Sequence, residues 1–190
     1  MTRVGVVVPI RAFALGKARL ADRLHGAERE ALARRMAEQV VGAAGALPVL
    51  VVSSDDQVRV WAEERSCTTL EDPGSLDGAA GAGATWFAAA GYGRIVVAHA
   101  DLPRADSFGR VIRDGGQAIV TVVPCHRDDG TPVLSLPTGT GFRFQYGPGS
   151  FRRHAAEARR LGLGVRVVRD ANLAFDVDTA ADLDALSNRR

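Results

Sequence analysis

The chain has 190 residues, 46% of them hydrophobic and 24% charged, with 24 Lys and Arg against 22 Asp and Glu. That profile fits one soluble domain with a sizeable core and excludes a disordered, fibrous or disulfide-dependent chain. A net charge of +2 provides no general electrostatic hold on nucleic acid or anionic lipid, so neither is expected as a partner.

Taken in order, Val4 to Pro9 is a Val-rich run of the kind that forms a strand buried on both faces of a parallel sheet. The run stops too early for a secretion signal or membrane span. The two cysteines, Cys67 and Cys125, lack disulfide or metal-ligand spacing and read as small buried hydrophobes. A cytoplasmic protein is therefore expected. Lys17 to Leu24 has room for one or two helical turns. Glu28 to Ala44 then carries Leu32, Met36, Val40 and Val41 at helical spacing. Leu50 to Ser53 predicts a second strand, and Asp55 to Arg65 a helix whose opening carboxylates suit a helix N-terminus.

Cys67 to Leu70 reads as a short third strand, and Ala79 to Ala90 as an Ala-rich helix able to lie close to a sheet. Arg94 to Ala98 is the fourth predicted strand, followed by a turn at Asp101-Leu102-Pro103 and a helix to about Arg113. Gln117 to Val123 is the fifth. The alternation of strand and helix implies a parallel sheet with right-handed crossovers. The stretch 124–150 breaks the pattern. It is rich in Gly, Pro and Thr, with Val133 to Leu136 and Phe142 to Phe144 as short strand candidates, and so long an irregular region is commonly functional. Ser150 is the expected cap of a helix to Arg160, Val165 to Val168 a strand, and Thr179 the cap of a last helix, with Asp182 completing a capping box. No repeat or linker divides residues 1–190, which read as a single domain.

Ligands of open α/β sheets bind at the carboxyl ends of the strands. After the first strand, Arg11, Lys17 and Arg19 flank a loop of small residues. They suit a polyphosphate, or are ordinary surface cations. The P-loop and dinucleotide-binding glycine patterns are absent from that loop, and no Gly-x-Ser-x-Gly occurs in the chain. Asp101, just past the fourth strand, suits either a hard cation such as Mg²⁺ or a helix N-cap. Asp176 and Asp178, two residues apart, face the same way on extended backbone and repel each other unless a cation lies between them. With Asp101 they make a candidate three-carboxylate Mg²⁺ site; the plain alternative is one capping and one exposed Asp. Asp128 and Asp129 read as a turn. His99, His126 and His154 lack ligand spacing and read as structural. Gly147-Pro148-Gly149-Ser150 is a tight turn that serves as a cap or as a backbone nest for an anion.

In these segments, taken together, the chain resembles the guanylyltransferases that make the deazaflavin coenzyme F-420, which belong to the MobA-like nucleotidyltransferases. The matching stretches are Pro9 to Leu20, Ser53 to Asp56, Gly74 to Ala79, His99 to Pro103, Asp129 to Thr131, Phe144 to His154 and Phe175 to Leu183. The resemblance implies a Rossmann-like α/β nucleotidyltransferase domain, with a mostly parallel mixed sheet, helices on both faces and 124–150 as the substrate loop. It implies transfer of GMP from GTP to a phosphorylated three-carbon acid, phosphoenolpyruvate or 2-phospho-L-lactate, with release of pyrophosphate. By the same resemblance, Asp101, Asp176 and Asp178 hold Mg²⁺, and Lys17 and Asp101 are catalytic. Arg11, Lys17 and Arg19 face the triphosphate, while Ser53, Asp77 and Gly78 border the base. Thr131, Gly147 and Ser150 hold the acid, and the product is handed to the next transferase of the pathway. The chain departs from the family's usual residues at Asp77 and Pro132, where Asn is usual, and at Gly16, where Ala is common. Two rival readings are a MobA-like enzyme acting on a molybdopterin or sugar phosphate, and a non-catalytic nucleotide-binding module. Whether the chain forms a homodimer is left open.

Overall fold

A computed structural model describes residues 2–113 and 118–187. The apolar runs become strands β1 (Val4–Pro9), β2 (Val49–Val52), β3 (Thr68–Leu70), β4 (Arg94–Ala98), β5 (Ile119–Val123), β6 (Val133–Pro137) and β7 (Gly164–Val167). They form one seven-stranded sheet in the order β3-β2-β1-β4-β6-β5-β7. β1 lies parallel between β2 and β4, whereas β6 runs antiparallel to both β4 and β5. The sheet is thus mixed and mostly parallel. Gln117, the expected start of the fifth strand, lies outside the described residues.

The helices are α1 (Gly26–Ala43), α2 (Asp56–Glu63), α3 (Leu76–Ala89), α4 (Gly109–Ile112), α5 (Ser150–Arg160) and α6 (Ala180–Ser187). Because side chains alternate along a strand, β1 sends Val6 and Val8 to one face and Val7 to the other. The first face is closed by α1, α2 and α4 through Met36's neighbours Ala37 and Val40, Trp61 and Val111; the second by α3 and α5 through Ala80, Phe87 and Ala158. Each large apolar side chain buried in these layers contributes about 1.5–3 kcal/mol. The small residues of α3 allow unusually close contact with β1. A Cβ at Gly83 would lie 2.5 Å from Val7 Cγ1, and one at Gly5 would lie 2.2 Å from the Phe87 ring.

Several expected boundaries shift for identifiable reasons. α3 begins at Leu76 rather than Ala79, because the Ser75 side chain caps it by accepting from Gly78 N–H. The helix expected up to Arg113 shrinks to α4. Asp106 and Ser107 side chains accept the Ser107 and Gly109 N–H groups, an alternative to helical bonding. Phe142 to Phe144 is not a strand; its rings instead stack into an aromatic row with Tyr146. Ser150 does not cap α5. Gly149, with φ +74°, starts the helix, and the Ser150 hydroxyl is turned inward. No helix among the described residues is long and apolar enough to cross a membrane.

Candidate active site

The carboxyl ends of β1 and β4 lie side by side, and the loops that leave them meet over the sheet edge. After β1 the chain makes two short 3-10 turns, Phe13–Leu15 and Ala18–Leu20, the second of them within the stretch expected to hold one or two helical turns. Phe13 anchors the first turn by packing edge-on to Trp61 at 5.2 Å. Between the turns Lys17 adopts left-handed backbone with φ +56°, a conformation that costs a non-glycine residue about 1–2 kcal/mol. Two ion pairs offset that cost. Lys17 Nζ lies 2.6 Å from Asp101 Oδ2 and 3.2 Å from Asp178 Oδ1, with side-chain exposures of 9%, 26% and 38% for Lys17, Asp101 and Asp178.

Asp101 is not a helix cap, since no helix follows it directly. Nor is Asp178. Thr179 caps α6 as expected, its Oγ1 accepting from Asp182 N–H, and Asp182 Oδ2 accepts in return from the N–H groups of Asp178 and Thr179 and from the Thr179 hydroxyl. These bonds hold the Asp182 carboxyl down at about 2 despite burial. Capping by Thr179 leaves Asp178 to meet Lys17. Val177 N–H donates to Asp101 O at 3.4 Å, which ties the 175–179 segment to the β4 loop.

Opposing forces set the charges here. Burial pulls the Lys17 ammonium down, but Asp101 and Asp178 together carry it above its usual value. Burial likewise pushes Asp101 up, and Lys17, followed by His99, brings it below the ordinary carboxylate range. Asp176 is raised, first by burial and then by the neighbouring carboxylates of Asp101 and Asp178. Its Oδ1 lies 3.1 Å from His126 Nδ1, but the contact is not aligned as a hydrogen bond. Buried Asp101 Oδ1 and Asp176 Oδ1 therefore have no hydrogen-bond partner among the described residues. Among those residues, no group of three His, Cys, Asp or Glu side chains is arranged to hold a metal ion as it stands. The cation found between Asp101 and Asp178 is the Lys17 ammonium.

A cavity of about 370 Å³ opens beside this cluster, lined among others by Arg11, Lys17, Asp72, Leu76, His99 and Asp101. Arg11 is exposed at its rim, whereas Arg19 is exposed outside the lining. Ser53 is fully buried, its hydroxyl accepting from Asp55 N–H, and it does not reach the cavity. Asp77 and Gly78 lie in the first turn of α3. Asp77 Oδ1 accepts from Tyr146 N–H at 2.7 Å and so clips the 142–149 loop to that helix. Gly78 is confined by its cap, since a Cβ there would lie 2.9 Å from Ser75 Oγ.

On the far side, Thr131 and Ser150 are buried with their hydroxyls 3.3 Å apart, and Thr131 Oγ1 lies 3.1 Å from His154 Nδ1. Gln145 N–H donates to His154 Nε2 at 3.0 Å, so Nε2 is the acceptor and Nδ1 carries the proton toward Thr131. Burial, then Arg153 and His99, push the imidazole down to about 4. The turn at Gly147 (φ +97°) is held from both sides. Arg153 donates to the carbonyls of Gln145, Tyr146 and Pro148, and Asp129 accepts from Gly149 and Phe151 N–H groups. Asp128, with φ +56°, makes the turn expected of it.

His154 is therefore a structural clasp with a pH signature. Neutral in the fold and titrating near 6.5 when unfolded, it contributes fully above about pH 6.5 and loses that contribution as pH falls toward 4. The loss amounts to about 3 kcal/mol. His154→Gln is expected to flatten this part of the pH dependence, measured as urea midpoints from pH 7 to 4; parallel curves for the two proteins would contradict it.

Arg127, Arg153 and Tyr146, which hold others in place, were missed from the sequence, whereas His126 was read there as structural without its partners. His126 lies between Asp176 and Asp182, and Arg127 pairs with Asp182 at 2.8 Å. Arg153 and Tyr146 shape the loop. The partners of His126, Arg127 and Tyr146 are remote in the chain, whereas Arg153 bonds carbonyls only five to eight residues before it.

Comparison with known proteins agrees with this architecture. A family model described as "Guanylyl transferase CofC like" matches residues 4–187. The phosphoenolpyruvate guanylyltransferase of Sphaerobacter thermophilus is 33% identical over 194 residues, covering 98% of this chain and 93% of that protein. The 2-phospho-L-lactate guanylyltransferase of Methanothermobacter thermautotrophicus is 32% identical over 183 residues, covering 93% of this chain and 81% of that protein. In fold, the chain is similar to a nucleotidyl transferase structure from Methanothermobacter thermautotrophicus, with TM-score 0.69, 14% identity and coverage of 98% and 96% of the two chains. Spanning residues 4–187 and supported by relatives of one third identity, the match shows that this chain belongs to the CofC-like guanylyl transferase family.

Proposed function

We propose that the protein transfers GMP from GTP to a phosphorylated three-carbon acid, phosphoenolpyruvate or 2-phospho-L-lactate, in the biosynthesis of coenzyme F-420 in the cytoplasm. A phosphate oxygen of the acid attacks the α-phosphorus of GTP, a new P–O–P bond forms, and pyrophosphate leaves with the electron pair of the broken bond. The attacking group is already an anion, so the protein need not supply a strong base. Its work is alignment and charge neutralisation. The observation that carries this reading is the convergence of Lys17, Asp101 and Asp178 beside the cavity, with Asp176 electrostatically coupled to the same carboxylates.

Asp101, Asp176 and Asp178 are the residues that would hold Mg²⁺. The donor set suits it in chemistry, being all carboxylate, with Asp101 Oδ1 buried and lacking a hydrogen-bond partner among the described residues. When bound, the cation would offset charge on the triphosphate. Lys17 and Arg11 approach the triphosphate from the cavity wall, with Arg19 further out. Asp77 and Gly78 border the base, while Ser53, buried and out of reach of the cavity, acts only by holding the turn behind it. Thr131, Gly147 and Ser150 border the acid, and the hydroxyls of Thr131 and Ser150 fix the turn that receives it. The product is a labile mixed diphosphate, handed to the next transferase.

The test is pyrophosphate release with GTP, CTP or ATP against phosphoenolpyruvate, 2-phospho-L-lactate and phosphoglycerate. Turnover is expected with GTP and one of the first two acids. Nucleotide binding without pyrophosphate release would instead identify a non-catalytic module.

A further inference from the structure

Two buried polar atoms near the cavity have nothing to bond. His99 Nε2 and Tyr146 Oη are both shielded from solvent and lack a hydrogen-bond partner among the described residues. Such atoms are uncommon in folded proteins, because each costs free energy until a partner arrives. The two rings lie 5.2 Å apart, so the unpartnered atoms belong to one locale.

That locale joins the two halves of the site. His99 lines the cavity with Lys17 and Asp101, and its backbone N–H donates to Pro132 O at 2.9 Å, next to Thr131. Tyr146 immediately precedes the Gly147 turn. Its ring meets His154 edge-on at 4.8 Å, and its backbone is clipped to Asp77. Tyr146 thus sits between His154, His99 and the start of α3, and is not part of the wall near Arg11. Burial, then the charge of Asp77, push its phenol well above the ordinary range, so Oη remains a proton donor. A neutral donor of this kind makes its strongest hydrogen bonds to an anionic oxygen.

We propose that Tyr146 Oη and His99 Nε2 together bind an anionic oxygen of the acceptor acid and so help determine which phospho-acid is accepted. The inference rests on the guanylyl-transfer reading above. It assigns two specificity residues that lie outside the Thr131, Gly147 and Ser150 set.

Steady-state kinetics of pyrophosphate release, with GTP and acid varied separately, tests the pair. Tyr146→Phe keeps the ring and removes Oη. His99→Asn offers an amide that cannot reach the Nε2 position, whereas His99→Gln can. Tyr146→Phe and His99→Asn are expected to raise KM for the acid about 10- to 100-fold, with KM for GTP nearly unchanged. His99→Gln is expected to retain most of the affinity. Without ligands, Tyr146→Phe is expected to melt no lower than the parent, because its hydroxyl has no internal bond to lose; a purely structural hydroxyl would lower Tm. Unchanged acid KM in active variants would overturn the pair and leave the reaction standing. A rise confined to KM for GTP would place the pair on the nucleotide and overturn it. A parent protein that releases no pyrophosphate with any acid would overturn the reaction and the pair together.

Discussion

Asp101→Asn is expected to reduce pyrophosphate release by about 10³-fold or more while the protein remains folded. The reason lies in the difference between what the fold and the reaction ask of this side chain. For the fold, Asp101 Oδ2 accepts from Lys17 Nζ, and the amide oxygen of Asn still accepts there. For the reaction, the proposal requires a charged oxygen that faces a cation and the GTP triphosphate, and an amide has no charge to offer. Buried, unpartnered Oδ1 is the atom available for that task. Asp176→Asn is expected to behave in the same way, since its carboxyl, raised by burial and then by Asp101 and Asp178, belongs to the same group of charges. The measurement is the initial rate with GTP and phosphoenolpyruvate, alongside the thermal midpoint. Parental rates in either variant would remove the carboxylates from the mechanism.

Replacing Lys17 by Met is expected to affect both activity and stability. The ammonium is the cation that separates Asp101 from Asp178, at 2.6 and 3.2 Å. Its loss leaves two carboxylates facing each other and a third, Asp176, nearby. Removing one partner of a fully buried pair costs roughly 3–5 kcal/mol, and the partial exposure of both aspartates reduces the expected cost to about 1–3 kcal/mol at neutral pH. The pH dependence has a defined shape. Asp101 titrates below its unfolded value of 3.8, so its contribution is present above about pH 4 and is lost as pH falls through the folded value. Lys17 titrates above 10.5, so its contribution persists to about that pH and is lost beyond it. The gap in urea midpoint between parent and variant should therefore be widest near pH 7 and shrink progressively as pH falls below about 4. A gap of constant size over that range would show that the stability change comes from the Lys17 stem or backbone instead. Activity is expected to fall at least a hundredfold, as for loss of a charged group facing the reacting phosphates.

Much of the architecture was legible in the chain. Val-rich runs without alternation are what strands covered on both faces require, and β1, β2 and β4 are such strands. Asp55 and the Thr179–Asp182 box cap their helices as local chemistry dictates. Less legible was the stretch 124–150, where position in the sheet depends on remote partners. There β6 enters antiparallel between β4 and β5, and nothing local in Val133 to Pro137 specifies that direction. Phe142 to Phe144 looked like a strand because aromatic residues favour one, yet its rings found better burial against Tyr146 and His154. Ser150 looked like a cap, but its hydroxyl turns inward and donates to buried Thr131 Oγ1 at 3.3 Å, leaving Gly149 at the helix start.

The sequence by itself therefore determined the order of strands and helices, the caps that end several of them, and the acidic and basic residues available at strand ends. Those are local properties, set by periodicity, propensity and side-chain chemistry within a few residues. Only the tertiary structure decided which charges meet. Lys17 and Asp178 are separated by 161 positions, and His126 approaches both Asp176 and Asp182. Such meetings depend on sheet order and on the paths of loops over its edge, which no short window of residues encodes. The same holds for His99 Nε2 and Tyr146 Oη, which are shielded without hydrogen-bond partners only once β4 and the turn before α5 are brought together.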